Sequence, residues 1–108
     1  MTITECIKHN LIEVLIHEKY VTKTTKTDKN SYDKIRFVYG KRDELVTQLN
    51  LTEHDLSYLI NTSSTRLDIE VAIKLCKLLK AKMAAIFSDT LITEETIEDA
   101  FYSGNSEM

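Results

Sequence analysis

Histidine and cysteine are the side chains here that could do point chemistry, at His9, His17, His54, Cys6 and Cys76. His9 and His17 lie two turns apart on one helical face, but no third histidine or cysteine is spaced to complete a metal site, so both read as surface residues. Cys6 and Cys76 fall on apolar helical faces far apart in the chain and read as reduced core thiols. No serine or cysteine stands beside a recognisable base, and no glycine-rich phosphate loop is present. Neither an enzyme nor a cofactor nor a metal is expected.

What remains is recognition by charge. Residues 19–42 carry eight Lys/Arg against two Asp, residues 43–61 four acids and no Lys/Arg, residues 62–87 five Lys/Arg against two acids, and residues 88–108 six acids and no base. The net charge of −3 conceals two basic segments flanking an acidic one. Lys23, Lys26, Lys29, Lys34 and Arg36 run through the first basic segment, and Lys41 and Arg42 close it. A stripe of that kind suits the phosphates of double-stranded DNA, where counterion release dominates affinity. The equal alternative is a lysine-rich strand edge kept soluble. Tyr20, Tyr32, Phe37 and Tyr39 are interleaved with these cations and could stack on bases, though such aromatics more often pack a hairpin onto a core.

The elements that must position these groups follow from periodicity. The chain has 108 residues, 43% of them hydrophobic, with no proline and only Gly40 and Gly104 as glycines, so one mainly α domain is expected. Thr2 and Glu5 form a capping-box start, and Ile3, Ile7, Leu11, Val14 and Leu15 recur at helical spacing to about Lys19. Residues 20–40 change character: threonines, the turn-forming "DKNS", then "IRFVY" ending at Gly40. They fit an inserted basic β-hairpin or arm, or a short helix, since Tyr32, Ile35, Val38 and Tyr39 also match a 3.6 period. A helix from Arg42 through Leu49 breaks at "Asn50-Leu51-Thr52", where Asn tolerates a left-handed conformation and Thr52 can cap the next helix, about Glu53 to Asn61. Asp68 caps a helix through Lys80 with Ala72, Leu75, Cys76 and Leu79 inward, and "MAAIF" adds a short fifth helix. The tail holds an acidic C-terminal helix, Thr93 to about Tyr102, whose Ile97 and Phe101, with Ile92, offer a face for a partner or a homodimer. The division expected is a domain at 1–87 and an acidic tail at 88–108. No signal peptide or membrane-length apolar run is present, so a cytoplasmic chain with no membrane partner is expected.

The stretches "ELVTQLNLTEHDLSYLIN", "TRLDIEVAIKLCKLLKAKMAAIF" and "IKHNLIEVLIHEKYV" resemble the second and third, the fourth and fifth, and the first helices of the Cro/repressor-type (Xre-like) helix-turn-helix family. The resemblance implies a five-helix lambda-repressor-like domain whose third helix lies in the major groove. By position it implies that Glu53, His54, Asp55, Ser57 and Tyr58 face DNA, and that Thr52, Asn61, Ser63, Ser64 and Arg66 lie near phosphates. Lys41 and Arg42 would stand at the start of the second helix. Residues 20–40 are an insertion relative to the family, Asn50 and Thr62 stand where glycine is common, and the reading positions are acidic.

Those acids separate two readings. Glu53 and Asp55 suit the first turn of a helix, and Asp55 lies three residues after the Thr52 cap. Against DNA a carboxylate repels phosphate and finds a good partner only in the cytosine amino group. The leading expectation is a sequence-specific DNA-binding regulator of repressor type, from a bacterium, phage or mobile element. The alternative is a protein-binding adaptor (antirepressor, DNA-mimicking inhibitor or antitoxin-like) that engages a protein partner through its acidic helix or tail.

Overall fold

The computed structural model describes residues 2–24, 34–60 and 66–101. Helix α1, Ile3–His17, opens on the expected capping box: Glu5 N donates to Thr2 Oγ1 at 3.2 Å and Thr2 N to Glu5 Oε1 at 3.1 Å. It ends two residues short of Lys19. Lys19 turns left-handed at φ +66°, and Tyr20 N reaches back to Leu15 O at 2.9 Å, closing the last turn.

The described parts of the insertion are stranded, not helical. Strands β1, Val21–Thr24, and β2, Lys34–Phe37, pair antiparallel with Val21 opposite Phe37 and Thr22 opposite Arg36. Val21 is buried and Phe37 half-buried, which pins one face of the pair to the core. Lys26, Lys29 and Tyr32 lie outside the described residues.

Helices α2, Lys41–Leu49, α3, Glu53–Ile60, α4, Ile69–Leu79, and α5, Met83–Ile86, follow. Gly40 enters α2 at φ +81°, a conformation that favours glycine. Asp68 Oδ1 accepts from Glu70 N at 2.9 Å and Val71 N at 3.4 Å, the cap expected for α4. Leu11, Val14 and Leu15 of α1 meet Leu45, Leu56, Leu59 and Leu75 in one core, all with at most 1% exposure. Both cysteines are free and buried, and burial pushes the Cys76 thiol up to about 11. Among the described residues no helix is long and apolar enough to cross a membrane.

The expected helix from Thr93 is replaced by turns and a 3-10 helix, Glu98–Ala100. Thr96 Oγ1 accepts from Thr93 N at 2.9 Å and Thr96 N donates to Thr93 O at 3.0 Å, local bonds that compete with helix propagation. Both ends of the segment are also tied down, at Ile92 to α1 and by an antiparallel bridge between Ala81 and Phe101.

Candidate nucleic-acid interface

The α2–α3 unit is built from its turn outward. Asn50 adopts the left-handed conformation at φ +54°, Leu51 is buried beneath it, and Leu51 N donates to Val46 O at 3.1 Å. Thr52 and Asp55 then form a reciprocal box: Asp55 N donates to Thr52 Oγ1 at 3.1 Å, and Thr52 N to Asp55 Oδ2 at 2.9 Å. The Thr52 N–H above all, with the Thr52 hydroxyl beside it, holds the Asp55 carboxyl below its ordinary range. From α4, Lys74 Nζ donates to Leu49 O at 3.2 Å, placing a cation at the carbonyl end of α2.

Leu56 and Leu59 turn α3 onto the core, which leaves Glu53, His54, Ser57 and Tyr58 exposed together. Glu53 is not alone there. Its Oε1 lies 3.3 Å from the Arg42 guanidinium of α2, an exposed ion pair that adds little stability but holds both side chains at the α2–α3 mouth. Arg66 stacks over the Tyr58 ring, 4.3 Å from its centre, so the residue after the undescribed stretch returns to the outer face of α3. Lys41 pairs with Glu44 at 3.2 Å and lies 5.2 Å from the Tyr20 ring.

Of the remaining predicted positions, Thr52 is exposed within its cap, Lys23 is exposed on β1 and Arg36 on β2, and Lys34 opens β2. Asn61, Ser63 and Ser64 lie outside the described residues. Arg36 and Arg42 converge on an open groove of about 400 Å³ between β2, the Val38–Gly40 turn, the start of α2 and Ile60. Tyr39 stands wholly exposed at its edge. No three His, Cys, Asp or Glu are grouped to hold a metal among the described residues.

Comparison with protein-family models, with curated proteins and with solved structures finds no match to this chain. The functional reading therefore rests on the geometry alone.

The proposed partner face of the tail is turned inward. Ile92 is buried, and Ile97 and Phe101 pack half-buried against the chain's own core, so the three do not form an exposed surface. The anchor is Asn10, fully buried in α1. Its Nδ2 donates to Ile86 O at 3.2 Å, Thr90 O at 3.1 Å and Ala85 O at 3.4 Å, and its Oδ1 accepts from Ile92 N at 2.8 Å. His9, expected at the surface, donates from Nε2 to Ile92 O at 3.1 Å, and the exposed His17 ring packs tilted against Phe101, 4.9 Å between centres. Sequence reasoning passed over Asn10, although a polar residue three after Ile7 and four before Val14 on an apolar stripe is itself a signal.

Proposed function

We propose that the chain is a sequence-specific DNA-binding regulator of repressor type that lays the outer face of α3 in the major groove. The observation that carries the reading is the α2–turn–α3 unit. A left-handed Asn50 and a closed Thr52–Asp55 box fix a short helix whose outward residues are Glu53, His54, Ser57 and Tyr58, with Arg66 from beyond the helix stacked on Tyr58. The acids that weigh against DNA are both engaged: Asp55 is occupied by its own helix cap, and Glu53 lies against Arg42. Ser57 and Tyr58 would contact base edges, and Arg42 and Arg66 the phosphates.

The experiment is selection from a randomised duplex library with purified protein, eluted across a salt gradient. A recovered motif, palindromic if the protein acts as a dimer, is expected. Ser57→Ala should relax preference at particular base positions, whereas Arg66→Ala should weaken binding evenly and reduce the salt slope by about 1. Failure to enrich any sequence at low salt overturns the reading.

A further inference from the structure

We propose that the edge of β2 turned away from β1 takes an extended, alternating acidic and apolar peptide segment of a partner protein as a third strand. This surface adjoins the proposed DNA-contacting face and shares Arg42 with it, but its argument does not depend on the DNA reading.

Among the described residues the sheet has two strands, and β2 pairs with β1 on one side only. Val38 N donates to Tyr20 O at 2.9 Å, which with the register makes Val38–Tyr20, Arg36–Thr22 and Lys34–Thr24 the hydrogen-bonded pairs. The main chains of Ile35 and Phe37 therefore point away from β1. Both line the groove that runs along this edge to Ile60. An edge of alternating N–H and C=O groups is satisfied by another strand. A phosphate backbone offers acceptors only and would leave the two carbonyls unmet.

Charge selects the occupant. A second copy pairing antiparallel through Ile35 and Phe37 would set Arg36 directly opposite its own counterpart, which is unfavourable. An acidic residue at that position meets Arg36 instead. Its neighbours in the segment point to the opposite face, toward the side on which Val21 and Phe37 join the core, so they should be apolar. The exposed Tyr39 ring extends the apolar wall. Asp43 at the far side of the groove disfavours an acid there, which limits the segment to a short stretch centred on Arg36.

The probe is a short blocked peptide alternating valine and glutamate, followed by fluorescence polarisation and by amide resonances of the intact protein. Binding should shift the Ile35 and Phe37 amides and slow their exchange. N-methylation at alternate peptide amides of one parity should weaken binding about tenfold, and the other parity should leave it unchanged, because only one set faces β2. Arg36→Glu should exchange the preference to a valine–lysine peptide. Three results would overturn the proposal: absence of binding, equal binding by both N-methylated peptides, or self-association through this edge in sedimentation. A random-sequence duplex that shifts Ile35 and Phe37 in place of the peptide would make the groove a nucleic-acid surface, and would also overturn it. The library selection reports separately on α3, so either idea can fail alone.

Discussion

Asn10 contributes four hydrogen bonds from a site with no exposure, all of them to main-chain groups between Ala85 and Ile92. An apolar replacement would fit the surrounding helix face but strand the buried Ile92 N–H and the Ile86 carbonyl, while Ala85 O and Thr90 O still share the Ser88 hydroxyl. Asn10→Leu is therefore expected to cost at least about 3 kcal/mol, read as a lowered midpoint in urea unfolding. Retention of wild-type stability would mean that the segment has other anchors. Lys8, one turn from Glu5 and also buried, was equally unmarked in the sequence, where a lysine beside polar residues looks like a solvated face. Polar residues on an amphipathic helix are ambiguous at this scale, since only the neighbours in space decide whether they meet water or a carbonyl.

Among elements, the start of α3 couples stability to pH. The Asp55 carboxyl is held below its ordinary range in the folded chain, so its contribution is complete above the unfolded carboxylate value, about 4, and is lost as pH falls through the lower folded value. Asp55→Asn should be less stable than wild type at neutral pH and should converge with it in acid, as followed by thermal unfolding at each pH. A constant difference across that range would remove the box from the account. Thr52→Ala should cost about 1 kcal/mol at neutral pH. This capping pattern was legible because it depends on residues three apart in the chain. The missing C-terminal helix was not. Its periodicity was real, but a short segment held at Ile92 and Phe101 gains more from those tertiary anchors than from a helix too brief to propagate.

For the molecule as a whole, the described part of the acidic segment, residues 88–101, packs into the core. Ile92 and Ala100 are buried, Cys6 Sγ donates to Asp89 O at 3.5 Å, and the Ala81–Phe101 bridge closes the segment over the end of α4. Truncation to residues 1–87 should expose the Asn10 side of α1. The loss of buried Ile92 and Ala100, with the half-buried Ile97 and Phe101, is expected to cost about 4 kcal/mol of apolar burial. Against a typical domain stability of about 5–15 kcal/mol, that is enough to weaken or abolish the cooperative transition seen by circular dichroism. A truncated chain that unfolds like the full one would restore the segment to the status of a tail.

The sequence by itself determined what depends on neighbours within a turn or two: the five helices, the Thr2 and Thr52 boxes, the Asp68 cap, the left-handed Asn50 and the inward leucines. It also marked residues 20–40 as a departure, while leaving strand and helix open because both periods fit so short a run. Only the tertiary structure decided between them, by pairing Val21 with Phe37 over the core. It alone brought Glu53 to Arg42 and Tyr58 to Arg66, and it folded Ile92 onto Asn10 across some eighty residues of chain. Capping and periodicity are local and leave a mark in consecutive residues, whereas burial and charge pairing depend on which surfaces meet once the chain has closed on itself.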